Sequence, residues 1–249
     1  MHCATTATEP TISAPAAPAS SVLLATLLAG LLGWALPAAP AQAGNCGADP
    51  APSVDWSDCR KRNLILAGSN LAGANLSGAD FTSTDLRNSG LDGVDLQKAN
   101  LLRSMMDNSK AAGANFEKAI GFRTSFANTD LTSARFAKSE MQRADFRGAT
   151  LTNVDFEKSE LGRADFSDAD INGTNFRFAN LARADLRSAR FETPIDFTGA
   201  FFYLTRIEGV DLSAAVGLAQ WQVDMACGDH ETKLPGGLQG STGWPCVEE

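Results

Sequence analysis

Between Leu66 and Phe191 a large apolar residue, usually Leu or Phe, returns at every fifth position without an insertion. The series runs Leu66, Leu71, Leu76, Phe81, Leu86, Leu91, Leu96, Leu101 and Met106. It resumes through Phe116, Phe126, Leu131, Phe136, Met141, Phe146, Leu151, Phe156, Leu161, Phe166, Ile171, Phe176, Leu181, Leu186 and Phe191, with only Ala111 and Gly121 out of pattern. A helix repeats its apolar positions near 3.6 residues and a strand at 2, so a period of five predicts neither. It predicts a solenoid, one stack of small coils. Two residues before each large one stands a small or β-branched residue, as at Ala74, Ala79, Ala144 and Ala164. Asp or Asn stands between them, as at Asn75, Asp80, Asp145 and Asp165. The large and small residues face an interior, and the other three positions face water.

These units stand as Ala74-Asn75-Leu76, Ala79-Asp80-Phe81, Ala144-Asp145-Phe146, Ala164-Asp165-Phe166 and Ala184-Asp185-Leu186. They resemble the A(D/N)LXX units of the pentapeptide-repeat family, and the resemblance extends over residues 64–212. It implies an all-β fold, a right-handed quadrilateral β-helix with four units to a coil, so that residues twenty apart stack. At a strand spacing of ~4.8 Å, about seven coils would make a rod of roughly 35 Å.

The sequence supports that stacking independently. From Phe126 to Leu181 the large positions alternate strictly, Phe at 126, 136, 146, 156, 166 and 176, aliphatic at 131, 141, 151, 161, 171 and 181. Four sides to a coil place Phe on two opposite sides and aliphatics on the other two, which keeps core volume constant from coil to coil. Water-facing positions form ladders too: Lys98, Lys118, Lys138 and Lys158, then Arg103, Arg123, Arg143, Arg163 and Arg183 one side on. Acids follow two residues later, as in Lys138-Ser139-Glu140, Lys158-Ser159-Glu160, Arg143-Ala144-Asp145, Arg163-Ala164-Asp165 and Arg183-Ala184-Asp185. The expectation is a self-neutralising, soluble edge; the alternative is a cationic stripe for an anionic polymer.

Two irregularities stand out. Gly121 leaves a hole that Phe122 is expected to fill by turning inward; otherwise Phe122 would join Leu102, Met105 and Ile120 in an exposed apolar patch fit for a partner. After Phe191 the phase slips, since Asp196 stands where a large residue is due and Phe197 comes one late, just beyond Pro194. A one-residue bulge is expected there, with Phe197, Phe202, Ile207 and Leu212 resuming the series.

The ends differ from the repeats. Residues 22–37 are apolar and precede Ala41-Gln42-Ala43, which reads as a signal peptide over 1–43 cleaved after Ala43, although no Lys or Arg precedes Arg60. An uncleaved anchor is the alternative, with a run short for a span; no membrane span is expected in the mature chain. The remaining cysteines, Cys46, Cys59, Cys227 and Cys246, lie as a pair at each end, which suits two local disulfides, Cys46–Cys59 and Cys227–Cys246, among three possible pairings. Residues 44–63 are expected as an N-terminal cap containing Val54 and Trp56, with Leu64 and Leu66 opening the repeats. Residues 213–249 are expected as a C-terminal cap with a short helix whose apolar face is Leu218, Trp221 and Met225, stopped by Gly228.

No reaction is legible. His2 lies in the leader and His230 in the tail, and no nucleophile–base pair, phosphate loop or metal spacing occurs, so neither catalytic residues nor cofactor nor metal is expected. The Asp residues occupy a structural slot suited to bonding turn backbone. The chain carries a net charge of −8, while residues 64–212 hold 17 basic and 20 acidic residues. Some members of the family that this chain resembles are strongly acidic DNA mimics that bind type II topoisomerases. The near-balanced repeats and the leader disfavour that role here. The expectation is a non-enzymatic interaction module, exported to a bacterial periplasm or beyond, that displays flat charged faces to an unknown protein or anionic envelope polymer, with no nucleic acid as partner. Its candidate surfaces are the Lys/Arg ladders and the Leu102, Met105, Ile120 and Phe122 area.

Overall fold

From Asp55 to Asp170, the residue between each small–large pair bridges in parallel to the residue twenty positions on. Asp55 pairs with Asn75, Arg60 with Asp80, Ile65 with Asp85 and Asn70 with Gly90, which starts four ladders, one on each side of the coil. The computed structural model describes residues 44–246, and the expected leader over 1–43 lies outside them. Bridges begin at Asp55, within the segment expected as an N-terminal cap, and the last joins Asp211 to Lys233, within the expected C-terminal cap.

The pentapeptide explains this economy. Trp56 donates its backbone N–H to the Asn75 carbonyl at 2.8 Å, and Asn75 returns one to Val54 at 2.9 Å. The small residue closes the preceding turn, as where Ala74 donates to the Leu71 carbonyl at 3.0 Å. Each side is thus reduced to one bridging residue between two-residue turns. The second turn residue takes a positive φ, between 53° and 60° wherever it is not glycine.

The large residues fill the interior. Phe116, Phe136, Phe156, Phe176 and Phe197 form one stack, with successive ring centroids 4.4 to 5.4 Å apart. Phe126, Phe146 and Phe166 form a second stack and meet the first edge to face, as Phe126 meets Phe136 at 5.6 Å. Each fully buried ring contributes roughly 1.5–3 kcal/mol. At several small positions a Ser or Thr hydroxyl donates to an inward carbonyl of the coil before, Thr124 to Leu101 at 2.7 Å and Thr174 to Leu151 at 2.9 Å, whereas the buried Ser104 hydroxyl has no partner among the described residues.

The structure departs from the sequence expectation at Gly121, at the first inward positions and at the short C-terminal helix. The hole at Gly121 is filled from the next coil by the Met141 thioether, which lies where a Gly121 side chain would project, so Phe122 stays half-buried at the surface. The inward series opens at Trp56, not Leu66: Trp56 is buried and Leu64 is exposed. Lys61 takes the next inward position, its ammonium bonded to the Cys46 carbonyl at 2.8 Å and 3.6 Å from the Trp56 ring centre. The short helix α1, Gln220–Met225, buries Gln222 and Val223 and leaves Trp221 half exposed. The Gln222 amide reaches the Phe197 and Ala200 carbonyls at 2.9 Å each, so a polar side chain covers the end of the stack there. α1 ends at Met225, short of Gly228, which is packed against the Trp244 ring.

The bulge stands as expected: Asn175 pairs with Asp196, one residue late, and Ile195 and Phe197 both point inward. Cys46–Cys59 and Cys227–Cys246 are both bonded, with Cα–Cα distances of 5.4 and 5.3 Å.

Candidate functional site

All four corners of the coil impose the same left-handed conformation on the second turn residue, a conformation that costs an ordinary side chain roughly 1–2 kcal/mol. Two corners use mostly residues that tolerate it. One carries Asn88, Asn108, Asn128, Gly148, Asp168 and Ser188, the other Gly93, Gly113, Ser133, Asn153 and Gly173. The remaining two carry the ladders: Lys98, Lys118, Lys138 and Lys158 on one, Arg103, Arg123, Arg143, Arg163 and Arg183 on the next, every one at positive φ. Backbone preference therefore does not explain the basic residues, since the same geometry is met elsewhere by glycine and asparagine.

Lys98 and Arg103 stand at consecutive corners, and only one side of the rod lies between them. In that interval Ala99 and Leu101 point inward while Asn100 bridges. The same registration repeats along the rod, so one face is bounded by both ladders. Its centre presents Asn100, Ile120, Glu140, Glu160 and Asn180, all bridging residues. The nine basic residues of the corners thus enclose two carboxylates, Glu140 and Glu160.

Among the described residues, neither Arg143 nor Arg163 makes the expected ion pair with the Asp two places on. Each Asp in the bridging slot turns toward the residue two places on, accepting its backbone N–H, and so away from the Arg that precedes it. Asp145 accepts from the Arg147 backbone at 3.0 Å and pairs with the Arg147 guanidinium at 2.6 Å, and Asp185 pairs with Arg187 in the same way. Burial pushes the Asp145 carboxyl up, but the Arg147 hydrogen bonds and charge outweigh it and hold the group below its ordinary value. Asp165 bonds Ser167. These carboxylates belong to the adjoining side. Within the Lys ladder, Lys158 pairs with Glu157 at 2.7 Å. Arg123 and Arg143 both lie over the Phe122 ring, at 5.3 and 5.9 Å. The face is therefore basic along both edges, with the aspartates turned onto the adjoining side and Glu140 and Glu160 kept at its centre.

The expected apolar patch is divided. Ile120 is exposed on the basic face, beside half-buried Leu102 and Phe122, while Met105 bridges Asp85 and Ser125 on the neighbouring side. Sequence reasoning passed over three rings at the far end of the same face. Phe178 continues the Lys corner at φ 56°, Phe201 continues the central positions after the bulge, and Tyr203 stands in the turn at the Arg corner, just before Leu204. All three are about half exposed. The signal was present: Phe178 breaks a run of lysines, and Phe201 doubles the inward Phe202.

Among the described residues no group of His, Cys, Asp and Glu is placed to hold a metal, and no helix is long and apolar enough to cross a membrane.

Residues 65–103, 129–168 and 159–193 match the family model for pentapeptide repeats, in eight copies. Solved structures similar in fold include two trypsin-treated forms of QnrB1, a plasmid-mediated fluoroquinolone resistance protein. One has a TM-score of 0.52 at 15% identity, covering 71% of this chain and 90% of that one; the other has 0.51 at 16%, covering 70% and 86%. A pentapeptide repeat protein from the Arabidopsis thaliana thylakoid lumen is 29% identical over 41% of this chain and 70% of its own, with a TM-score of 0.40. None of the curated proteins matches the chain.

Proposed function

The chain belongs to the pentapeptide-repeat family, and we propose that it is a non-enzymatic, exported rod that holds an anionic envelope polymer or a protein along the face between its Lys and Arg corners. The observation behind this reading is the division of the corners. Two of four equivalent positions per coil take charged residues at a conformational cost, and these two bound one face. Strain kept at particular positions points to use. The repeats supply rigidity: each coil is hydrogen-bonded to the next around its perimeter, so little ordering remains to oppose binding. Export rests on the apolar run at 22–37 with Ala41-Gln42-Ala43, and two disulfides suit an oxidising compartment. The topoisomerase-mimic reading needs an acidic face, and these corners are basic.

The test is crosslinking of the tagged mature protein in an envelope fraction, followed by mass spectrometry and glycan analysis of what it retains. The wild type should retain one recurrent envelope component, and Arg143→Glu with Arg163→Glu should release it. Equal retention by both would remove the face from the account. Recovery with topoisomerase subunits from cytoplasm would overturn the export reading as well.

A further inference from the structure

We propose that the occupant of the basic face is an anionic polysaccharide of the uronic-acid class, lying along the rod with its carboxylates against the corners and a sugar ring seated on the aromatic end. This rests on the reading of that face as a binding surface and gives its ligand a chemical class.

Three features select this class. First, the corners repeat a cation once per coil, ~4.8 Å apart along the axis, on two parallel lines. That suits a linear chain with charge at every residue. Second, the strip between the lines is not basic. It offers Glu140, Glu160 and Asn180, with Asn180 already donating to Glu160 at 2.8 Å, and Gln142 beside them. A phosphodiester backbone meets those carboxylates as repulsion, because it brings acceptors to acceptors. A polysaccharide brings hydroxyl donors, which the Glu oxygens accept while its own carboxylates face Lys and Arg.

Third, the face ends in rings. Phe201 and Tyr203 lie nearly parallel, 12° apart, with centroids separated by 6.3 Å. Phe178 lies one coil before them on the same face, flanked by Lys158 and Arg177 at 5.7 Å. Its ring rests over Gly199, at 2.6 Å from where a side chain there would begin, so the glycine makes the seat. Arg183 stands 6.0 Å from the Tyr203 ring. Flat apolar rings beside cations suit a sugar that has an apolar ring face and a carboxylate at its edge. An acidic peptide would use the cations and leave the rings idle.

The experiment is binding of a fluorescent oligogalacturonate to the mature protein at low salt, against oligothymidylate and polyglutamate as competing polyanions. Phe178→Asn with Tyr203→Ser removes rings, and Lys138→Asn with Lys158→Asn removes cations. Asparagine keeps the left-handed corners, and thermal melts establish that each variant is folded. The expected result is uronate binding that falls about tenfold or more in either variant, with both competitors at least about tenfold weaker. Binding that ignores the ring variant overturns the polysaccharide assignment and leaves the polyanion face standing. Oligothymidylate or polyglutamate binding as tightly, with the same dependence on the rings, also overturns it. No binding of any polyanion overturns both this assignment and the polymer reading of the face.

Discussion

The Met141 thioether fills the space into which a side chain at Gly121, one coil earlier, would project. The two positions share one inward column, so a deficit in one coil is made good by a long, flexible residue in the next. Met141→Ala should therefore open a cavity spanning both coils and cost about 2–5 kcal/mol. Gly121→Leu alone should also destabilise, by roughly 1–3 kcal/mol of overpacking, yet it should restore part of the loss in the Met141→Ala background. Urea denaturation of the two single variants and the double variant checks this; additive losses would contradict it.

Phe122 and Phe146 are both phenylalanines of the repeats, but Phe146 is buried between stacked rings and Phe122 is half-buried under two guanidinium groups. Phe146→Ala should cost about 3–5 kcal/mol. Phe122→Asp should leave the fold intact, with a change of about 1 kcal/mol or less. If thermal melts show the two variants equally damaged, Phe122 belongs to the core after all.

The period of five determined the coil, the two phenylalanine stacks and the bulge before Phe197, because each is a matter of which side chains point inward. What the period could not determine was the direction of a polar side chain after it leaves the backbone. Asp145 follows Arg143 by two residues, and on sequence they read as partners; the Asx bond to the Arg147 backbone swings the carboxylate the other way. Phe122 was misplaced for a related reason. Its neighbour Gly121 left a gap, but stacking put the Met141 thioether, twenty residues on, into that gap. The Lys and Arg ladders were legible as columns, and their sharing of one face follows from the five-residue corner spacing. The aromatic end was missed because Phe201 and Tyr203 come after the phase slip.

The corners carry a conformational cost that can be relieved. Replacing Lys118, Lys138 or Lys158 by Asn, the residue used at equivalent corners, should raise stability by up to about 1 kcal/mol per site, through left-handed preference and reduced like-charge repulsion. The same variants should weaken polyanion binding. Stability that falls along with binding would mean that the lysines hold the fold together.

Several carboxyl groups are held low in the folded chain. At Asp80 and Asp196 burial pushes upward, but hydrogen bonds from Thr82 and Thr198 and the charges of Arg62 and Arg177 outweigh it. Asp211, bonded to Lys233 and Ser213, is lowered to about 2. Each folded value lies below the ordinary 3.8, so the stabilisation is fully present above that value and is lost as pH falls toward about 2. The melting temperature should be level from neutral pH to about 5 on this account and drop below about 4. Asp145→Asn should lessen the drop, and a melting temperature that rises on acidification would contradict the assignment.

The most direct test of the basic face is lysine acetylation of the intact mature protein, followed by mass spectrometry, with and without oligogalacturonate. Lys110 and Lys233 are exposed away from the corner ladder and serve as internal controls. The account predicts slowed acetylation at Lys98, Lys118, Lys138 and Lys158 and unchanged rates at Lys110 and Lys233. Uniform protection of all exposed lysines, or none at the ladder, would contradict it.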